Sequence, residues 1–402
     1  MNRLSPSWVV VLAGVSAGLH VGKLAPALPA LQAALDISLL QAGFLLSLVQ
    51  LAGMSLGLVA GLAADAMGLK RTMVIGLLVV SVAGAAGAQM HDVRGLLISR
   101  ALEGLGFLMA VMPGPGLLRR TVLPGRLQPA LGLWGTYMPL ATALALLMGP
   151  FTITGLGWQG WWWLVSGLSA GMALAVGVSV APDLVPFPAA GSAGTAGWTR
   201  RLRLTLSSRG PWLVALSFAT YSGQWLAVIG FLPSIYAQAG LEGSMVAVAT
   251  ALVAAVNMVG NIASGRLLQR GIVPQRLLYA GFAAMGVGSF FTFAPIWPVS
   301  AWGVPGQYAG VLLFSMVGGL VPGTLFSLAV RMAPDEGTVS TSVGWMQQWS
   351  ALGQFAGPPV VAWVATRAGG WHWSWVATGA CTVIGLGLAQ RVGSLLSKQR
   401  RV

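Results

Sequence analysis

The chain has 402 residues, of which 56% are hydrophobic and only 7% are charged, and its formal net charge at pH 7 is +14. So few charges exclude a soluble domain of this length, and the basic residues are scattered between apolar runs, which argues against a nucleic-acid-binding surface. Apolar runs of about 18 residues or more recur, and each is long enough to cross a bilayer as a helix. The composition predicts an all-α membrane protein, because open sheet edges would leave unpaired backbone groups in hydrocarbon.

Twelve membrane-spanning helices are predicted from these runs. They lie at residues 8–30, 39–62, 72–90, 95–118, 128–150, 160–181, 211–236, 244–265, 274–294, 302–331, 339–366 and 371–394. A stretch rich in Pro, Gly, Ala and Ser follows the sixth span and has the composition of a flexible linker. The predicted organisation is an N-terminal six-helix half at 1–181, a cytoplasmic linker at 182–210 and a C-terminal six-helix half at 211–402.

The positions of Lys and Arg predict the orientation of the chain. With the N-terminus inside, all but four of the 22 Lys and Arg lie on the cytoplasmic side; the exceptions are Lys23, Arg94, Arg100 and Arg367. This asymmetry predicts that both termini are cytoplasmic, in a bacterial-type inner membrane. The first apolar run is long, is interrupted by His20 and Lys23 and is followed by further runs, so it is predicted to be a retained helix rather than a signal peptide.

Several tryptophans lie near the predicted outer ends of the spans, where an interfacial belt of aromatic residues is expected. The predicted belt contains Trp158, Trp161, Trp162, Trp163, Trp297, Trp302, Trp371, Trp373 and Trp375. The one cysteine, Cys381, excludes a disulfide framework or a cysteine-rich metal site within one chain.

The most highly charged short segment reads GLAADAMGLKR and joins spans 2 and 3. Its glycines, Gly61 and Gly68, allow close helix approach and a tight turn. Its acid, Asp65, can lie near the positive end of a helix and pair with a base, and Lys70 and Arg71 supply two bases. The segment is therefore predicted to be a polar loop with a structural role at the membrane surface.

A weaker copy of this segment, GRLLQRGIVPQR, begins at Gly265 and suggests an internal duplication. Gln269 stands where the acid would be. Two sets of six spans, a cytoplasmic linker and the pattern G-x-x-x-D-x-x-G-x-K-R together resemble the major facilitator superfamily. The resemblance implies two six-helix halves that transport a small solute. It also implies a cytoplasmic gate formed by Gly61, Asp65, Gly68, Lys70 and Arg71. Asp65→Ala is accordingly expected to lower the transport rate and largely spare substrate affinity.

Finer resemblances lie in spans 1, 4 and 5. Arg100 and Gly104 match the R-x-x-x-G pattern of span 4. The end of span 5, at 148–150, lacks the paired glycines that follow in drug/proton antiporters. Lys23, just before two prolines, resembles the cyanate/nitroimidazole permease branch, although that branch characteristically has arginine there. A lysine is a point charge rather than a planar fork, so a different anion is implied.

The ionisable residues inside the spans are the main candidates for a site, because burying them is costly. His20 and Lys23 share a face of span 1, and Arg100 and Glu103 share a face of span 4. In one interpretation Lys23, Arg100 and His20 contact an anionic substrate, and Glu103 orients Arg100 or relays a proton. In the other, Lys23 extends to the outer interface and Arg100 and Glu103 form a structural pair.

Neutral polar and aromatic residues in other spans are further candidates for substrate binding. They are Tyr137 in span 5, Gln224 and Trp225 in span 7, and Gln347 and Gln348 in span 11. Amides and aromatic rings suit a small polar or planar solute. Equally, they could serve only to hydrogen-bond neighbouring helices.

The favoured interpretation is a secondary active transporter that moves a small organic or inorganic anion by alternating access, with protons as a hypothetical coupling ion. The alternative is a multidrug or metabolite exporter that works as a proton antiporter. An enzyme is not expected, because no catalytic triad, metal-ligand cluster or phosphate-binding loop is found in the sequence. We expect a monomer that needs no cofactor, and no nucleic-acid partner.

Overall fold

The computed structural model describes residues 5–123, 130, 133–183, 194–238, 243–296, 303–335 and 338–399, except for the side chains at 59–66, 194–198, 303–304, 339–340 and 399. In these ranges all regular structure is helical, as predicted. The first helices are α1 (Pro6–Gly22), α2 (Leu24–Leu35), α3 (Leu39–Ser47), α4 (Leu51–Met67), α5 (Leu69–Gly87), α6 (Val93–Val111), α7 (Gly114–Thr121) and α8 (Tyr137–Ser179). They are followed by α9 (Gly194–Ser207), α10 (Arg209–Gln238), α11 (Ser244–Ala255), α12 (Asn257–Gln269), α13 (Pro274–Phe293), α14 (Gly303–Gly318), α15 (Leu320–Arg331), α16 (Val339–Ala368) and α17 (Ser374–Gln399).

The described helices account for the twelve predicted spans. Ten helical stretches within the described ranges are long and apolar enough to cross a membrane. One of them, α8, consists of two helices that meet at Gly157, where the backbone leaves the helical conformation (φ 71°, ψ 173°). It therefore covers two predicted spans. Glycine adopts such a positive φ without steric cost, so the chain reverses there without a longer loop. The twelfth, α16, is less apolar but has 30 residues. The twelve-helix prediction is therefore confirmed.

Several spans consist of two consecutive helices. The first span breaks at Lys23, between α1 and α2, and α2 ends at Asp36 in the left-handed conformation (φ 50°). The second span begins with a capping box, in which Ser38 and Gln41 exchange side-chain and backbone hydrogen bonds. The break at Lys23 matters most, because it lies beside the other ionisable side chains of the first span.

Glycines set the close packing of the N-terminal helices. A Cβ atom on Gly106 of α6 would lie 2.5 Å from the backbone nitrogen of Val80 in α5, and one on Gly22 of α1 would lie 3.0 Å from the Cα of Thr142 in α8. Small residues let helix backbones approach in this way inside a membrane. As a result α5, α6, α1 and α8 form one tight group.

The described chain divides into two compact units by its internal contacts. The first unit contains Met1–Gly194 and Gly230–Leu252, and the second contains Thr195–Ile229 and Val253–Val402. In the second unit α13 packs against α14 and α17. The predicted division into halves at 1–181 and 211–402 stays a prediction.

The predicted linker contains a helix that its overall composition does not indicate. Residues 194–207 form α9, whose described part reads TRRLRLTLS, and Arg200 forms an ion pair of 3.5 Å with Asp335 of the same unit. Arg and Leu are good helix formers, and their short run was hidden by the Pro, Gly and Ala around it. The linker at 182–210 stays a prediction, and residues 194–207 within it are helical.

Candidate functional site

Four ionisable side chains, predicted to lie in two different spans, come together in the first unit. His20 and Lys23 lie at the end of α1, and Arg100 and Glu103 lie one turn apart in α6. All four side chains are completely buried. We call these four residues the charge cluster.

Glu103 is the centre of the charge cluster. Its Oε1 accepts a hydrogen bond of 2.5 Å from Lys23 Nζ, and its Oε2 accepts one from Arg100 Nη1. His20 Nδ1 lies 3.3 Å from Lys23 Nζ and 3.5 Å from Glu103 Oε1. The Glu103 carboxylate therefore pairs with two cations, Lys23 and Arg100. His20 lies close to both Lys23 and Glu103.

Arg100 ties the charge cluster to the backbone of neighbouring helices. Its Nη1 also donates to the carbonyl oxygen of His20 at 2.5 Å, and its Nε donates to the carbonyl oxygen of Leu45 in α3 at 3.2 Å. Both carbonyls lie where a helix ends, close to the breaks after α1 and α3. Arg100 thus satisfies helix-end carbonyls as well as a carboxylate, which fixes its guanidinium rigidly.

The second part of α8 forms one wall of the charge cluster. The Trp162 ring lies 4.6 Å from Lys23 Nζ, a distance that suits a cation–π contact. Trp161 Nε1 donates to the Lys23 carbonyl oxygen at 3.0 Å, and Ser169 Oγ lies 3.0 Å from His20 Nε2. A further serine, Ser16, extends this chain of hydrogen bonds at 2.9 Å.

The position of the tryptophans corrects part of the predicted interfacial belt. Trp158, Trp161 and Trp162 are at most 5% exposed, whereas Trp163 is 50% exposed. After the reversal at Gly157, α8 turns back into the helix group, and consecutive tryptophans then point in different directions. Trp373 is 48% exposed, as a belt residue would be, and Trp297 and Trp302 lie outside the described residues.

Helix α5 completes the enclosure through glycines. A Cβ atom on Gly84 would lie 2.9 Å from His20 Cε1 and 3.1 Å from Glu103 Oε1, and one on Gly87 would lie 3.3 Å from Trp162 Nε1. A larger residue at Gly84 would therefore push against the charge cluster itself. Sequence reasoning missed this role, although the two glycines share a helix face and so offered a weak signal.

When Lys23 is protonated, the charge cluster carries more positive than negative charge. With His20 neutral, Lys23, Arg100 and Glu103 sum to one surplus positive charge in a fully buried position. Three buried polar atoms beside it have no hydrogen-bond partner among the described residues: Arg100 Nη2, Trp162 Nε1 and Ser166 Oγ. Such an arrangement can release a proton or accept a hydrogen-bonding anion, and either event would cancel the surplus charge.

The predicted roles of these residues in substrate binding stay predictions, but two geometrical points are clear. Lys23 points toward Glu103 and is not exposed, so it does not extend to an outer interface in this conformation. Arg100 and Glu103 form the pair that their spacing indicated, with Lys23 as a third member.

The candidates of span 7 are buried in the second unit. Gln224 Nε2 donates to the Thr220 carbonyl oxygen of its own helix at 3.0 Å, while its Oε1 has no partner among the described residues. Trp225 Nε1 donates to Ser315 Oγ of α14 at 3.2 Å. Asn257 of α12 bonds the Ser315 carbonyl oxygen at 2.8 Å, so Trp225 belongs to a neutral network across three helices.

The other neutral candidates are half-buried. Gln347 and Gln348 lie on α16 in the second unit, and Tyr137 begins α8 in the first unit with its ring 4.9 Å from that of Trp134. Tyr137 lies outside the charge cluster of its own unit. The structure thus brings together the four ionisable candidates of the first unit.

The predicted gate is described only in part. The side chains of Gly61 and Asp65 lie outside the described residues, within helix α4. Gly68 has a φ of 94° and directly precedes α5. In the first turn of α5, the backbone N–H groups of Lys70 and Arg71 donate to the two oxygens of Asp183 at 3.1 and 3.0 Å. Asp183 caps a helix 112 residues earlier in the chain, a role that its sequence position does not reveal.

Asp183 also accepts a hydrogen bond of 3.2 Å from Arg120 Nη1, so we expect its charge to matter. Asp183→Asn should lower the free energy of unfolding by about 1 kcal/mol, because asparagine keeps only one of the two acceptor oxygens. Unfolding by SDS in mixed micelles would measure this change. The matched control is Asp92→Asn, because Asp92 caps α6 through one N–H at 2.7 Å, which asparagine can also do. Equal losses in both variants would contradict the double-acceptor role.

Comparisons with known proteins agree with this architecture. The family model described as Major Facilitator Superfamily matches residues 10–351. A bacterial homologue of the human lysosomal transporter Spinster, in an inward-facing and unoccupied conformation, superposes with a TM-score of 0.76 at 14% identity, over 99% of both chains. The xylose transporter XylE from E. coli, partially occluded and inward open, superposes with a TM-score of 0.75 at 13% identity, over 96% of this chain and 97% of the other. At such identities these likenesses show the fold alone.

One characterised relative matches over a shorter stretch. The tetracenomycin C resistance and export protein of Streptomyces glaucescens is 30% identical over 124 residues, which are 31% of this chain and 22% of that protein. The match therefore spans about a fifth of the relative's length.

Proposed function

The chain belongs to the major facilitator superfamily and is a membrane transporter rather than an enzyme; we propose that it couples proton movement to the export of an organic solute by alternating access. The observation that carries the proposal is the buried charge cluster, in which Glu103 serves both Lys23 and Arg100. The short match to an export protein supports the direction and the class of solute.

The proposed coupling follows from the charge of the cluster. With Lys23 neutral, Arg100 and Glu103 cancel, and the enclosed arrangement carries no net charge. When Lys23 takes up a proton, the cluster becomes positive, and burial of a net charge in an apolar interior is unfavourable. Protonation would therefore favour a conformation in which water reaches the cluster, and proton release would favour the enclosed one.

His20 is placed to pass the proton. Its Nδ1 lies within 3.5 Å of both Lys23 Nζ and Glu103 Oε1, and its Nε2 contacts Ser169. Ser169 in turn contacts Ser16, so a chain of exchangeable groups leads away from the charge cluster. In this proposal the solute does not bind at the charge cluster, and Tyr137, Gln224, Trp225, Gln347 and Gln348 stay separate candidates for solute contact.

The second candidate function is transport of a small anion, as in the cyanate/nitroimidazole permease branch that span 1 resembles. Its specific support is Arg100 Nη2, a buried donor with no partner among the described residues. An anion bound there would cancel the surplus charge without any proton release. In both candidates we propose a monomer in the inner membrane with cytoplasmic termini and a gate at Gly61–Arg71.

Transport by Lys23→Met in proteoliposomes distinguishes the two functions. The methionine keeps the contact with Trp162 but leaves Arg100 and Glu103 as a permanently neutral pair. If protons are coupled, tetracenomycin C should still equilibrate down its own gradient, whereas a pH gradient should no longer drive its accumulation. Lys398→Met, which removes an exposed lysine from α17, should behave as wild type.

The anion function predicts a different pattern in the same experiment. Wild type should then take up a small carboxylate without moving protons, and Lys23→Met should lose that uptake altogether. A thermal-shift screen of tetracenomycin C and small carboxylates identifies the solute independently, because a ligand stabilises the state it binds. Proton-driven accumulation that survives in Lys23→Met would reject the proposed coupling.

A further inference from the structure

The second unit has a groove on the outside of α12 that combines apolar and basic side chains. The groove has a volume of about 450 Å³. It is lined by Val259, Ile262, Ala263, Arg266, Leu267 and Arg270. These residues recur every three or four positions, so they form one continuous face of the helix. The apolar residues lie toward the middle of the span and the arginines lie at its end, on the side predicted to be cytoplasmic.

The two arginines of this groove are free of acidic partners. Both are exposed, and among the described residues no carboxylate lies within ion-pair distance of either. The sequence contains no Asp or Glu between residues 244 and 293. Gly271 (φ 82°) makes a tight turn, after which α13 begins at Pro274, so Arg276 is a third exposed base nearby. The local charge is therefore strongly positive.

The apolar side chains of the groove are more exposed than is usual on a surface in contact with water. Such exposure is ordinary on a surface in contact with lipid. Val259 is 54% exposed and Ile262 is 48% exposed. From Val259 to Arg270 the helix rises about 16 Å, which matches half the thickness of a bilayer core. With the arginines at the headgroup level, the apolar part of the groove would reach roughly to the bilayer midplane.

We propose that this groove binds one anionic phospholipid, whose phosphate lies between Arg266 and Arg270 and whose acyl chain lies along Ile262 and Val259. Charge complementarity and the match in length favour this occupant. An acidic protein segment would satisfy the arginines but not the apolar stretch, and solvation alone would explain the arginines but not a groove beside them. None of the groove residues belongs to the charge cluster, and lipid binding there does not depend on the transported solute.

Lipid binding to the delipidated full-length protein tests the proposal. The affinity for phosphatidylglycerol and for phosphatidylcholine with the same acyl chains would be measured by native mass spectrometry. Wild type should prefer phosphatidylglycerol. R266Q/R270Q should lower that affinity roughly 25-fold, about fivefold for each arginine, and should lower phosphatidylcholine affinity less, because the choline cation of that lipid already neutralises its phosphate. Ala263→Trp, which fills the groove without a change of charge, should lower phosphatidylglycerol affinity at least about fivefold.

The control variant is R391Q/K398Q, which removes two exposed positive charges from α17 and leaves the groove intact. It should bind phosphatidylglycerol within about twofold of wild type. Glycerol phosphate, which has the headgroup chemistry without acyl chains, should not compete. The proposal is overturned if the control loses as much affinity as R266Q/R270Q, if Ala263→Trp has no effect, or if glycerol phosphate competes.

Discussion

Glu103→Gln should destabilise the protein more than any other single change in the charge cluster, by about 3–5 kcal/mol. The substitution keeps the size of the side chain but removes the one negative charge that Lys23 and Arg100 share. Arg100 would then remain buried without a counter-charge, joined by Lys23 whenever that lysine is protonated, and the new amide would turn its own N–H₂ group toward one of them. Unfolding in SDS–detergent mixtures would measure the loss, which should accompany a loss of transport.

Lys23→Met is the informative comparison for this prediction. This substitution also removes a buried charge, but it removes the surplus positive charge of Lys23. Arg100 and Glu103 stay paired. The methionine side chain can keep its packing on Trp162. We therefore expect a change in stability within about 1 kcal/mol, far below that of Glu103→Gln. If both variants were equally destabilised, Lys23 would not be the surplus charge, and the proposed coupling would lose its basis.

Gly106→Leu should disrupt the packing of α5 against α6. A Cβ atom at this position would lie 2.5 Å from the backbone nitrogen of Val80, a contact that only a shift of the helix could relieve. We expect a loss of about 3 kcal/mol or more, since overpacking against backbone leaves no side chain free to move aside. Because Arg100 and Glu103 lie on the same helix, transport should fall with stability.

The control for this variant is Gly171→Leu on α8. Gly171 is exposed, and a Cβ atom there would meet no other atom within 4 Å. The same change of glycine to leucine in a membrane helix should therefore cost nothing and could add helix propensity. Yield, monodispersity and SDS unfolding should separate the two variants. Comparable yields and stabilities for Gly106→Leu and Gly171→Leu would show that the helices do not approach as closely as described.

Membrane spans and ionisable site residues could be predicted from the sequence, because large free energies are involved in placing apolar runs and charged side chains in a bilayer. An apolar run of span length has few alternatives, and a charged residue within it must find a partner. The spacing of Arg100 and Glu103 indicated their pairing directly. Lys23 lies 80 residues from Glu103 in a different span, so spacing along one helix could not indicate that the two would meet.

The neutral residues around the site could not be predicted, because their contacts depend on the direction in which each helix faces. Trp161 and Trp162 read as belt residues until the reversal at Gly157 placed them inside. Gly84 carries no chemical group at all, and its importance lies in what a side chain would displace. Asp183 acts through a helix far away in the chain, so no local pattern identifies it.

The partnership of Lys23 with Glu103 also bears on how the chain is made. Span 1 leaves the ribosome with a lysine and a histidine among its apolar residues, whereas the neutralising carboxylate follows 80 residues later in span 4. A lysine at the centre of a membrane helix costs about 2.5–3.5 kcal/mol during insertion, a cost that the remaining apolar residues of the span must offset. Span 1 is therefore expected to stay next to the translocon until span 4 has been synthesised. The two spans would then move into the bilayer together, with Lys23 paired to Glu103.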